Sequence, residues 1–167
     1  MSFQKMHRAK KILFTAHCIL NQNAVIRQWE RAKGGFNTFI QKTLENNISI
    51  VQLPCPEFTF LGEDRPPMTK QEYDTEAYRR HSREILGIIL KQFQEYLNHG
   101  YQIVGILGIQ GSPSCDTLKQ KGVFMEELLA MLGEQGTHVK TFDVPEDYLE
   151  GEEHYILKEF QEFIHQQ

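Results

Sequence analysis

The chain has very few cysteines, and their arrangement excludes several common uses of the residue. Three occur in 167 residues, at positions 18, 55 and 115. An odd number of widely spaced cysteines makes a poor disulfide framework, and no Cys-x-x-Cys pair is present to form a local zinc knuckle. Free thiols of this kind are typical of a reducing cytoplasm.

Long hydrophobic runs and an excess of charge are missing as well. The first apolar run, residues 12–16, is too short for the core of a signal peptide, and no window approaches the ~20 apolar residues of a membrane-spanning helix. The 18 Lys and Arg against 22 Asp and Glu leave a net charge of -4, without a broad basic surface for nucleic acid or an anionic membrane. We therefore expect a cytoplasmic protein whose partner is a small molecule.

What is present is an alternation of two hydrophobic patterns. Short apolar runs alternate with longer segments whose apolar residues recur at helical spacing. The predicted strands span residues 11–16, 48–53, 101–109 and 137–142, and the predicted helices span residues 36–46, 69–97, 122–132 and 152–164. This order predicts a doubly wound α/β fold with a mainly parallel sheet of four to five strands. Without a linker or repeat, residues 1–167 are expected to form one domain.

Local signals refine this assignment at three places. A Thr-x-x-Glu capping box at residues 69–72 predicts the start of the second helix. Residues 55–68 contain three prolines and a Gly-Glu-Asp turn, and we expect them to form a functional loop. The third strand contains Gly105 and Gly108, and glycines inside a strand commonly mark close approach of another backbone or a ligand.

Each cysteine follows a predicted strand. Because loops at the carboxyl ends of parallel strands converge on one crevice, Cys18, Cys55 and Cys115 are expected to meet there. Three thiolates could hold zinc with water or histidine as a fourth ligand, or an iron–sulfur cubane with one iron free of protein ligands. The lack of a fourth cysteine favours substrate chemistry over electron transfer, because an open iron is a Lewis acid.

Other motifs that use such a fold are missing. The sixth residue after each cysteine is Ala24, Leu61 or Lys121, so the Cys-x5-Arg loop of low-molecular-weight phosphatases and arsenate reductases does not occur. The glycines of residues 105–111 have the wrong spacing for a dinucleotide-binding turn, and there is no P-loop.

Several short segments resemble those of the 2-thiouracil desulfidase family. They are Ala-His-Cys-Ile-Leu-Asn at residues 16–21, Cys-Pro-Glu at 55–57, Gly-Glu-Asp-Arg-Pro-Pro at 62–67 and Gly-Ser-Pro-Ser-Cys at 111–115. Their order also agrees, and the resemblance spans residues 11–118. It implies a Rossmann-like domain, similar to flavodoxin, in which three cysteines hold a [4Fe-4S] cluster and the fourth iron takes the sulfur of a thiolated substrate.

The resemblance also implies roles for individual residues. Cys18, Cys55 and Cys115 would be the cluster ligands, and Glu57 and Ser112 the candidate catalytic groups. A carboxyl near the cluster could protonate the nitrogen of a thioamide as its sulfur leaves. The other interpretations are a solvated loop carboxylate for Glu57 and a serine that only starts a turn for Ser112.

The surrounding loops supply candidate substrate contacts. Asn21, Asn23 and Arg65 are predicted to bind substrate, although the asparagines could instead cap loops. His17 could be a fourth ligand or an acid. The aromatic pair Phe58 and Phe60 could stack on a flat heterocycle, or pack against the core.

The chain departs from the family pattern near these loops. Ile-Leu-Asn follows Cys18 where the family has Leu-Leu-Gly, no Arg-Tyr-Asp-Gly element occurs, and Asp116 stands where glycine is common. We therefore predict a divergent iron–sulfur-dependent desulfidase that removes sulfur from a thiouracil-like compound by non-redox substitution. The alternatives are a sulfide- or persulfide-carrying iron–sulfur protein and a zinc protein that uses the same three thiols.

Overall fold

A parallel sheet of four strands forms the centre of the molecule. The structure is a computed structural model, and it describes residues 5–166. The strands are β1 (Lys11–Thr15), β2 (Ser49–Gln52), β3 (Gln102–Ile109) and β4 (Thr141–Val144). All neighbouring strands are parallel, and their order is β2-β1-β3-β4. The predicted α/β class and parallel sheet are confirmed.

Seven helices and one 3-10 turn connect these strands within the described part of the chain. The helices are α1 (His17–Leu20), α2 (Asn37–Glu45), α3 (Pro56–Leu61), α4 (Lys70–Tyr73), α5 (Glu76–Asn98), α6 (Val123–Glu134) and α7 (Ile156–His165), and the 3-10 turn is Gln22–Ala24. Helix α2 packs with α7, and α5 packs with α6. No helix in residues 5–166 combines the length and apolar character needed to cross a membrane.

The core is densest around the two central strands. Leu13 and Phe14 of β1 and Ile106 and Leu107 of β3 are fully buried, as expected for parallel strands covered on both faces. Phe14 also stacks on Phe93 of α5, with ring centroids 3.6 Å apart. Burial of this apolar surface provides the main stabilisation of the fold.

The strand order places a crevice at one end of the sheet. The chain moves from β1 to β2 on one side and then returns past β1 to β3 on the other. In doubly wound sheets, ligands bind at such a reversal, outside the carboxyl ends of the strands. The segments that follow β1, β2 and β3 all begin at this edge.

The predicted loop over residues 55–68 is wrong in its first half, where helix α3 forms. Cys55 precedes the helix, and its sulfur accepts the backbone N–H of Phe58 at 3.4 Å. Proline suits the next position because the first helical residue needs no N–H donor. The helix ends at Gly62, whose φ of 86° favours glycine.

The predicted single helix over residues 69–97 is instead two helices. The capping box at Thr69 is present, but α4 ends at Tyr73. Thr75 then begins α5 by accepting the N–H of Tyr78 at 3.1 Å. A threonine that caps a new helix competes with continuation of the preceding one.

Other predicted boundaries and burial patterns change less. The fourth strand begins at Thr141 rather than at residue 137, and the last helix begins at Ile156 rather than at residue 152. Leu44 of α2 and Ile88 of α5 are apolar but 55% and 72% exposed, so they lie outside the buried faces of their helices. The buried stripe of α5 consists instead of Tyr78, Ser82, Leu86, Ile89 and Phe93.

Candidate functional site

A cavity of about 400 Å³ lies at the carboxyl edge of the sheet. Cys18 reaches it from α1, Cys55 from the residue before α3, and Cys115 from the loop after β3. Glu57 and Ser112 line the same cavity. Residues that are far apart in the sequence therefore face one space.

The three thiols are held in surroundings that favour their neutral form. Burial and, to a smaller extent, the nearby Cys55 together raise the pKa of Cys18 to about 12. Burial also raises the pKa of Cys55, and it raises that of Cys115 well above the usual value, with smaller contributions from the other two cysteines. A bound cation would reverse this preference, because a coordinated thiol loses its proton.

The thiols share a cavity without converging on one point. Within residues 5–166, no group of three or more His, Cys, Asp or Glu side chains is placed to hold a metal ion. A single zinc ion would require all three sulfurs at about 2.3 Å from one centre. A cubane takes one thiolate on each of three irons, so its ligands are further apart.

Glu57 is a buried carboxylate with three donors rather than a solvated loop residue. Its Oε1 accepts from Arg65 Nε at 3.2 Å and from the Tyr73 hydroxyl at 3.1 Å. Its Oε2 accepts from Ser114 Oγ at 2.7 Å. Glu57 is 8% exposed and Arg65 7%. Burial of this charge is compensated by an ion pair and two hydroxyl groups.

Arg65 lines the cavity, but its nitrogens already have partners. Besides the ion pair with Glu57, Nη1 donates to the carbonyl of Gly62 at 3.2 Å and Nη2 to that of Ala24 at 2.7 Å. These bonds join the end of α3 to the segment that follows α1. The geometry favours a structural role for Arg65 over the predicted contact with substrate.

Ser112 organises the turn that carries Cys115. Its Oγ accepts the backbone N–H of Ser114 at 3.3 Å and that of Cys115 at 3.0 Å. A serine hydroxyl used in this way still has its own proton to donate. Because Ser112 also lines the cavity, it combines a turn role with access to a bound molecule.

The two predicted asparagines are placed beside the cavity rather than on its wall. Neither Asn21 nor Asn23 is among the described residues that line it. Asn21 Oδ1 accepts the N–H of Asn23 at 3.0 Å, and its Nδ2 lies 3.4 Å from His17 Nε2. These contacts match the loop-capping alternative.

His17, which lines the cavity, is held in one tautomer. Its Nδ1 lies 3.1 Å from the carbonyl oxygen of Leu53. Since a carbonyl only accepts, Nδ1 carries the proton and Nε2 accepts from Asn21. Asn21 therefore orients the imidazole next to Cys18.

The aromatic groups of the wall differ from those predicted, and a second arginine joins Arg65 there. Phe58 and Phe60 do not line the described cavity, and Phe60 instead packs against Tyr78, with centroids 5.2 Å apart. The cavity wall includes Trp29 and Arg31, which were not among the predicted site residues. Trp29 could have been found from the sequence, because it is a tryptophan in an otherwise polar segment.

Three further residues around Glu57 were also missed. Ser114 is part of the Ser-Pro-Ser-Cys segment, so its motif was visible even though its role was not. The rings of Tyr73 and Tyr78 pack together, with centroids 4.8 Å apart, because the helix is interrupted between α4 and α5. No signal in the sequence indicated that this interruption of the helix would bring the two tyrosines close to Glu57.

Asp116 stabilises the loop that carries Cys115. It is fully buried and accepts from three backbone N–H groups, those of Gly111 at 2.8 Å, Leu118 at 3.0 Å and Lys119 at 2.9 Å. A buried carboxylate that accepts several amide hydrogen bonds fixes the conformation of this turn.

Replacing Asp116 with alanine is expected to loosen this loop. Buried N–H groups left without an acceptor lower the free energy of unfolding by about 1–3 kcal/mol. We expect denaturant unfolding to show this loss as a lower midpoint at an unchanged slope. The exposed Asp64→Ala variant is the control and should leave the free energy of unfolding unchanged. Unchanged stability of Asp116→Ala would contradict this role.

Comparison with known proteins identifies a relative. The uncharacterized protein MJ0003 of the archaeon Methanocaldococcus jannaschii is 40% identical over 140 residues, which cover 84% of this chain and 89% of that protein. No protein-family model matches the chain, and no solved structure matches it.

Proposed function

The chain belongs to the same family as MJ0003, and we propose that it is an iron–sulfur-dependent desulfidase that removes sulfur from a thiolated small molecule. One observation carries the proposal: Cys18, Cys55 and Cys115 line one cavity with Glu57 and Ser112. These are the residues that the resemblance to 2-thiouracil desulfidases assigns to cluster and catalysis. A divergent member of that group, acting in the cytoplasm, fits the sequence.

The donor set suits a [4Fe-4S] cluster. Three thiols and no fourth cysteine leave one iron open for a ligand that the protein does not supply. The three thiols line one cavity, and a cubane takes one thiolate on each of three irons. When bound, the cluster would supply a soft Lewis acid for the departing sulfur.

The proposed reaction is a substitution without net electron transfer. The oxygen of water bonds to the thiocarbonyl carbon, the carbon–sulfur bond breaks, and the two protons of water leave with sulfur as hydrogen sulfide. Glu57 can accept a hydrogen bond or a proton within the cavity, and Ser112 can donate its hydroxyl proton. Apolar residues of the wall, among them Val25, Ile26 and Pro113, limit access of bulk water.

Anaerobic reconstitution followed by a substrate screen tests this function. We expect about four iron and four acid-labile sulfide atoms per chain, and release of hydrogen sulfide from thioamides such as 2-thiouracil. A complete cluster that never releases sulfide from any thioamide would indicate a sulfide carrier instead. Zinc binding without cluster assembly would indicate a zinc protein, and failure to bind either would overturn the metal assignment.

A further inference from the structure

A chain of two hydroxyl groups ends on the carboxylate of Glu57. The Tyr78 hydroxyl lies 2.6 Å from Ser114 Oγ, which lies 2.7 Å from Glu57 Oε2. A carboxylate accepts only, so Ser114 gives its one proton to Glu57. The Tyr78 hydroxyl must then donate to Ser114, and the chain runs in one direction.

The chain is shielded from water and joins separate elements of the fold. Tyr78 and Ser114 have no exposed surface. Tyr78 lies in the first turn of α5, Ser114 directly precedes Cys115, and Glu57 lies in α3 close to Cys55. Burial raises the pKa of Tyr78, which keeps its hydroxyl a donor. The orientation of Glu57 is therefore linked to the two loops that carry these cysteines.

Counting acceptor positions shows what this carboxylate can still bind. A carboxylate has about four lone-pair positions. Arg65 and Tyr73 occupy those of Oε1, and Ser114 occupies one of Oε2. The second position of Oε2 has no donor among residues 5–166, and Glu57 lines the cavity.

We propose that Tyr78 and Ser114 are positioning residues that act through Glu57 and hold the remaining lone pair of Oε2 for a donor on the reacting molecules. This inference rests on the proposed desulfidase function. The donor is an N–H of the thioamide or an O–H of the attacking water. In either case Glu57 acts as a hydrogen-bond acceptor, in contrast to the general-acid role that the sequence suggested for it.

Kinetics of the reconstituted full-length protein test the proposal. Tyr78→Phe removes one hydroxyl and keeps the ring, so we expect unchanged iron content, a similar KM for 2-thiouracil and a kcat lower by about 10- to 100-fold, the cost of a small misplacement of a reacting group. Ser114→Ala should have at least this effect. Because both act through one carboxylate, the double variant should be no slower than Ser114→Ala.

Tyr148→Phe is a matched control. Its hydroxyl donates to Glu150 Oε2 at 2.7 Å, Tyr148 is also fully buried, and it lies outside the described cavity lining. Its kcat should equal that of the wild type. An unchanged kcat in Tyr78→Phe, or additive effects of Tyr78 and Ser114, would overturn the positioning role.

Two further measurements separate the possible outcomes. 1,3-Dimethyl-2-thiouracil has no N–H. If the wild type turns it over and Ser114→Ala does so more slowly, water is the donor. If the wild type does not turn it over, the thioamide N–H is the donor. In metal-free protein, proton NMR should show protected hydroxyl resonances that disappear in Tyr78→Phe. Their absence from wild type would refute the hydroxyl chain itself, whereas their presence in a protein that desulfurates nothing would refute only the proposed function.

Discussion

Serine at any one of the three cysteine positions is expected to lower the iron content of reconstituted protein from about four atoms per chain to nearly none, and to abolish sulfide release. Each of Cys18, Cys55 and Cys115 would supply one of three thiolates, and the sequence holds no other cysteine to replace it. Serine differs by one atom but is a much weaker ligand for iron. Iron and acid-labile sulfide analysis, together with the visible spectrum, would measure the loss.

Two controls distinguish ligand loss from misfolding. Circular dichroism of the metal-free variants should match that of the metal-free wild type, because sulfur and oxygen differ little in size. Met68→Leu changes a residue of the same cavity wall without touching a thiol, and it should keep the full cluster. If a single cysteine variant also retained about four irons, its cysteine would not be a ligand.

The second large effect is expected at Arg65. Replacing it with methionine leaves the Glu57 carboxylate buried without its cation and removes the bonds to Gly62 and Ala24. Breaking a buried ion pair in this way lowers the free energy of unfolding by about 3–5 kcal/mol. Urea unfolding, followed by circular dichroism, would measure this as a lower midpoint at an unchanged slope.

A double variant separates the charge from the other contacts. Glu57→Gln combined with Arg65→Met removes both charges, so it should be more stable than Arg65→Met alone. Arg27→Met is the surface control, because Arg27 pairs with Glu63 and Asp64 at 64% side-chain exposure and contributes little to stability. Equal stability of the Arg65 and Arg27 variants would contradict the buried-pair interpretation.

Local patterns predicted the sheet well but missed helix α3. Hydrophobic runs are a property of neighbouring residues, so four strands and their parallel class followed from them. The proline of Pro56 was interpreted as a signal for loop, whereas at the first position of a helix it is favourable. Whether a loop or a helix forms after Pro56 depends on whether the following residues can pack against other parts of the fold.

The strand glycines show how a local signal is explained by distant residues. Gly108 was expected to mark a close approach, and a β-carbon there would collide with the carbonyl of Cys115 and the carboxylate of Asp143. A β-carbon at Gly122 would likewise collide with the backbone of Ser114 and Cys115. The glycines in the sequence indicated that another group lies close to β3, and the fold shows that this group is the loop that carries Cys115.

Sequence alone placed the three cysteines after three strands. It also placed Glu57 close to Cys55 and Ser112 close to Cys115. It did so because strand patterns and short motifs are local, and because parallel strands bring their following loops to one edge. The partners of Glu57 were decided only by the fold. Arg65, Tyr73 and Ser114 reach it from three different segments, and Tyr78 is linked to it through Ser114. A hydrogen bond between distant segments depends on how the elements pack and where helices break, and no single stretch of sequence contains that information.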